Sequence, residues 1–67
     1  MMTNHLKVAR AQNDLTQEQL AERVGVSRQS INSIEKSRYV PSTVLALKIA
    51  RALNTDVHAL FALEESD

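Results

Sequence analysis

In the stretch SRQSINSIEK, residues 27 to 36, four side chains carry hydrogen-bonding groups that match the edges of base pairs: Arg28, Gln29, Asn32 and Ser33. An arginine can bond both acceptors of guanine, a glutamine or asparagine matches the acceptor and donor of adenine, and a serine serves either. If the segment is helical, at about 100° per residue, Gln29, Asn32, Ser33 and Lys36 share one side and Ser30, Ile31 and Ile34 the other. Arg28 lies on the shoulder in the first turn. The helix's one acid, Glu35, turns to the opposite shoulder, so the amide-rich face carries no charge that would repel phosphate. The same residue types also suit a face that is merely solvated, and the neighbouring elements must decide between the two.

Those elements are marked by start and stop residues. Thr16 reads as an N-cap with Gln19 three residues on, a capping box, and Leu15 with Leu20 can close a hydrophobic staple around it. Gly25 ends this helix, since it takes positive φ at no steric cost. Ser27 caps the next, with Val26 and Ile31 as a second staple. Two helices locked this way, about three residues apart, cross steeply instead of lying antiparallel. The N-terminus of the first presents unpaired N–H groups and a positive dipole end to an anion, with Gln17 beside it. A helix from Asn4 to Asn13 precedes this pair, burying Leu6 and Ala9 and closing at Asn13 and Asp14. Another runs from the Ser42 cap to Leu53 with Leu45, Ala46, Ile49, Ala50 and Leu53 inward. After Asn54 as C-cap and Asp56 as N-cap, a short fifth helix covers Val57 to Ala62 with Val57, Leu60 and Phe61 apolar.

Composition agrees with an all-α fold: one Gly, one Pro and two aromatics among 67 residues leave little material for strands and turns. A chain this short builds one small core, which usually needs a disulfide, a metal or a partner for support. There is no cysteine, and His5 and His58 have no ligand cluster near them, so no metal or cofactor is expected and a second copy of the chain is the remaining support. No paired carboxylates, nucleophile with histidine, or glycine-rich phosphate loop stands at a useful spacing, which argues against an enzyme. Neither a signal peptide nor a membrane span is visible, and the expected location is cytoplasmic. Net charge is zero but uneven, +2 over residues 1 to 38 and −2 over residues 39 to 67. That unevenness leaves room for a basic face, although chance scatter of surface charge would also produce it.

The segments LTQEQLA, GVSRQSIN, the following IE, Pro41 and LALKIA together resemble the helix-turn-helix domain of the Cro/C1-type (XRE) family of regulators, and in particular its compact stand-alone members. Any one of these segments is weak evidence; in combination they are highly specific, and the match runs over residues 4 to 63 as a single domain, leaving 64 to 67 as a polar tail. The resemblance implies a five-helix bundle whose third helix enters the major groove of double-stranded DNA, bound as a homodimer to a pseudo-palindromic operator. Matched position by position, it implies base reading by Arg28, Gln29, Asn32 and Ser33, and backbone contacts by Gln17, Ser27, Lys36, Arg38 and Tyr39. It also implies an ion pair between Arg10 and Glu35 that ties the first helix to the third; a free surface cation or a phosphate contact is the other reading of Arg10. In compact members the termini can pair as short strands, which MMTNH and FALEE permit. The chain departs from the family where glycine is frequent, at Asp14 and Ser37, and at Thr43, where an apolar residue is common. Ser37 is thereby expected either to adopt positive φ, at some strain, or to close the helix differently.

Val44 and Leu47 project away from the inward side of the fourth helix, and with Phe61 and Leu63 they could form a dimer surface. Isolated surface apolar residues are also common. The leading expectation is a sequence-specific DNA-binding transcriptional regulator, more readily a repressor because no small-molecule ligand or activation domain is evident. The alternative is an antitoxin or adaptor whose main partner is another protein.

Overall fold

The computed structural model of the chain describes residues 2–65. In chain order its elements are β1 (Met2–Asn4), α1 (Leu6–Gln12), α2 (Gln17–Val24), α3 (Arg28–Glu35), α4 (Thr43–Ala52), α5 (Val57–Leu60) and β2 (Phe61–Leu63). Side-chain caps set four of the helix starts. Thr16 Oγ1 accepts from Gln19 N at 3.0 Å while Gln19 Oε1 accepts from Thr16 N at 2.8 Å, a complete capping box. Ser27, Ser42 and Asp56 accept from the backbone N–H three residues on, at 3.1, 3.1 and 3.0 Å. Each satisfies one of the donors a helix N-terminus leaves without a partner.

The ends of α1, α2, α3 and α4 share one closure. The N–H of Leu15, Val26, Arg38 and Thr55 returns to the carbonyl five residues earlier, at 3.1, 3.1, 2.9 and 2.9 Å. In each case the residue just before the donor is left-handed: Asp14 (φ 55°), Gly25 (φ 76°), Ser37 (φ 59°) and Asn54 (φ 53°). This is the Schellman closure, repeated four times in a chain with a single glycine. At Gly25 a Cβ would meet no atom within 4 Å, so a substitution there costs only backbone strain. Gly25→Ala is expected to lower unfolding free energy by about 1–2 kcal/mol, read as a lower urea midpoint with an unchanged slope; an unaltered midpoint would show that the turn accepts a side chain freely.

The core gathers one or more residues from every helix. Leu6, Leu20, Ile31, Ile34, Ile49 and Leu60 are fully enclosed, and Leu15, Ala21, Val24, Leu45, Ala50 and Leu53 complete it. Both staples contribute, through Leu15 and Leu20 and through Val26 with Ile31. α2 packs on α3 and α4, and α1 on α3. The terminal pairing that the sequence permits is present as an antiparallel two-stranded sheet with register Met2 to Leu63, Thr3 to Ala62 and Asn4 to Phe61.

Three boundaries differ from the expectation. Asn4 lies in β1, not at the head of the first helix, because its backbone pairs with Phe61 and its side chain instead accepts from Leu6 N at 3.2 Å. The fifth helix stops at Leu60 instead of Ala62, because Phe61–Leu63 gains a strand ladder and Phe61 packs its ring against the core. At the end of α4, Leu53 is the C-cap and Asn54 takes the left-handed position beyond it. Of the polar tail, Glu64 and Glu65 are exposed, while positions 66 and 67 lie outside the described residues. Among the described residues no helix is long and apolar enough to cross a membrane.

Candidate nucleic-acid interface

Ile31 and Ile34 pull one side of α3 into the core, and that anchoring fixes what the other side presents. Arg28, Gln29 and Lys36 are exposed, and Asn32 and Ser33 are half-buried beside them. Gln17 in the first turn of α2 joins Arg28, Gln29, Asn32 and Lys36 around one surface depression. A second depression adjoins it, lined by Arg10, Thr16, Gln17, Glu18 and Arg28, where the N-terminus of α2 meets the start of α3. Arg38 and Tyr39 are exposed in the segment that leaves α3. Ser27 is exposed as well, with its hydroxyl engaged in capping α3 and in contact with Ser30 Oγ at 3.1 Å.

Beneath this surface lies a charged joint between α1 and α3. Arg10 Nε donates to Glu35 Oε2 at 2.7 Å and Arg10 Nη2 to Glu35 Oε1 at 3.3 Å, a two-pronged contact. The remaining nitrogen, Nη1, donates to the Leu15 carbonyl at 2.7 Å, which holds the segment between α1 and α2. The side chains are only 15% and 5% exposed. Glu35 is thereby withdrawn from the surface and its charge matched, so the outward face of α3 carries no acid. Glu18 is the nearby acid that remains at the surface, at the edge of the second depression.

Gln17 does more than flank the groove. Its Nε2 donates to Asn32 Oδ1 and to Glu35 Oε1, both at 3.2 Å, so one amide pins the start of α2 to two turns of α3. The composition and period of α2 give no sign of these bonds, which depend on the angle at which the helices cross. Nothing in the sequence marks Asn4 either, although its side chain reaches the far end of α3, with Asn4 Nδ2 donating to Ile34 O at 2.9 Å. The four apolar residues assigned to a dimer surface are divided: Val44, Leu47 and Leu63 are 63%, 56% and 73% exposed, whereas Phe61 is half-buried against the core.

Two packed, capped helices, a left-handed glycine between them and an acid-free outer face on the second constitute a helix-turn-helix. The family model for the helix-turn-helix matches residues 6–60. The chain belongs to the Cro/C1-type helix-turn-helix family. An uncharacterised helix-turn-helix transcriptional regulator of Methanocaldococcus jannaschii is 47% identical over 66 residues, 98% of this chain and 100% of that protein. The crystal structure of a Bacteroides fragilis protein superposes with a TM-score of 0.84 at 34% identity, over 92% of this chain and 100% of the other. The immunity repressor of Bacillus phage phi105 is 39% identical over 59 residues, 88% of this chain and 41% of that protein. As a Cro/C1-type regulator the chain binds DNA and acts on transcription.

Proposed function

We propose that this Cro/C1-type regulator binds a pseudo-palindromic operator in double-stranded DNA as a homodimer, with α3 in the major groove, and represses transcription in the cytoplasm by excluding polymerase. The observation that carries the reading is the burial of Glu35 against Arg10, which leaves a polar, acid-free outer face on a helix whose inner face is locked into the core. Arg28, Gln29, Asn32 and Ser33 read base edges. Because Asn32 Oδ1 is held by Gln17, Asn32 offers its two N–H donors to the groove, which suits the acceptors of guanine. Gln17, Ser27, Lys36, Arg38 and Tyr39 contact phosphates on either side. The repressor sign draws support from the phage immunity repressor, whose matched part is of this size.

The test is mobility shift on the DNA upstream of the protein's own gene, at near-physiological salt with excess non-specific competitor. A discrete complex is expected, forming with the concentration dependence of a dimer; loss of every complex under competitor would overturn the reading. Arg38→Ala should weaken binding to all sequences and reduce the slope of log affinity against log salt by about 1, and an unchanged slope would remove Arg38 from the phosphate contacts.

The dimer surface comprises Val44, Leu47 and Leu63, with Phe61 at its edge. Two copies are needed because one monomer makes few of the phosphate and base contacts that operator affinity requires. Leu47→Glu places a charge in that surface and should shift sedimentation to the monomer; a dimer that persists would put the interface elsewhere.

A further inference from the structure

Asn4 stands at the end of β1, thirty residues before Ile34 in sequence, yet its carboxamide makes three hydrogen bonds: one to the last turn of α3, one to the residue that closes α3 and one to the start of α1. Nδ2 donates to Ile34 O at 2.9 Å and to Ser37 Oγ at 3.3 Å, while Oδ1 accepts from Leu6 N at 3.2 Å. Ile34 O belongs to the last turn of α3, whose carbonyls have no partner within the helix, and it also accepts from Ser37 N at 3.0 Å. Ser37 is the left-handed residue that closes α3, a position where glycine is unstrained and serine is not. A glycine, however, has no hydroxyl for Asn4 to hold. Immediately beyond, Arg38 N returns to Ser33 O at 2.9 Å, and Arg38, Tyr39 and Val40 run exposed to Pro41.

We propose that Asn4 is a positioning residue for DNA recognition: from the terminal sheet it clamps the last turn of α3 and the Ser37 hydroxyl, and so sets the direction in which Arg38 and Tyr39 leave the helix. The inference rests on the DNA reading of α3 given above. Asn4 is itself placed by pairing with Phe61 across the sheet and by the following bond, in which His5 N donates to Leu60 O at 2.8 Å. The carboxamide serves two ends with different atoms. The oxygen starts α1, an ordinary turn role for asparagine; only the nitrogen reaches α3, and that division makes the two roles separable by mutation.

Asn4→Asp retains an acceptor for Leu6 N but sets two acceptors against each other at Ile34 O, while the Ser37 hydroxyl can turn to donate to the carboxylate. Asn4→Ser also retains an acceptor and is too short to reach Ile34, and it guards against misfolding of the first variant. In the DNA-free variants the amide resonances of Ser37, Arg38 and Tyr39 are expected to move, with faster hydrogen exchange, while circular dichroism stays native. On the best duplex selected from a randomised pool by the wild-type protein, affinity should fall roughly three- to tenfold, with a smaller loss on random duplex. Folded variants whose Ser37 to Tyr39 amides stay in place would overturn the clamp. Moved amides with an unchanged ratio of selected to random binding would overturn its part in recognition. A wild-type protein without preference for any duplex would refute the DNA reading itself, and the amide measurement, made without DNA, would still decide the clamp.

Discussion

Arg10→Met is expected to lower the unfolding free energy by about 3–5 kcal/mol, enough to leave so small a domain largely unfolded at room temperature. The cause is what the substitution leaves behind. Glu35 is 5% exposed, and without the guanidinium its carboxylate keeps only the neutral Gln17 amide at 3.2 Å. The Leu15 carbonyl loses its donor at the same time. If the penalty comes from the stranded charge, Arg10→Met with Glu35→Leu should recover most of the loss, because two apolar side chains of similar volume can replace a buried pair at little cost. Urea unfolding of the two single variants and the double variant measures this coupling. A single variant that costs less than about 1 kcal/mol would mean that the pair behaves as an exposed one. The folded double variant also separates stability from function: Gln17 loses its bond to Glu35, and a weaker hold on α3 should lower operator affinity.

Gln29→Ala is expected to weaken operator binding by about 1–3 kcal/mol while leaving random-sequence binding and the salt slope nearly unchanged, since no charge is removed. Arg28→Ala should cost the operator a similar amount. Gln29 is exposed and belongs to the depression shared with Gln17, Asn32 and Lys36, so its loss creates no cavity and exposes no core. Competition titrations with matched and randomised duplexes supply both affinities. Equal losses on the two would remove these side chains from base reading and leave them as contacts to the backbone.

How far these features can be read from the sequence follows the range of the interaction behind them. Thr16 and Gln19, Ser27 and Gly25 act within one helical turn of their own positions, and α2 begins and ends, and α3 begins, where those residues say. The outward placement of Gln29 and Lys36 likewise follows from helical period once Ile31 and Ile34 are assigned to the core. Phe61 is different. Three residues are too few for a strand period to show, and the partner strand lies at the opposite end of the chain. Leu60 and Phe61 therefore look like one continuing apolar helix until the pairing is known. Asn4 and Gln17 escape for a related reason: their hydrogen bonds depend on how finished elements are oriented, which no local pattern encodes. The Arg10 to Glu35 contact, 25 residues apart, leaves no local pattern, and only the resemblance to a family implies it.

The terminal sheet has a consequence for the order of folding. α2 and α3 meet after a three-residue turn, so their contact closes almost no loop, whereas Met2 and Leu63 can pair only once the rest of the chain has been gathered between them. Loop closure on that scale costs entropy that three-residue strands repay only on a framework already in place. The helices should assemble early and fast, and the strands should join last. By the same reasoning they should be the first to open in the native protein, with amides of β1 and β2 exchanging through local fraying while those of α2 and α3 wait for global unfolding. A regulator built this way should keep α3 folded while the clasp over its far end opens and closes.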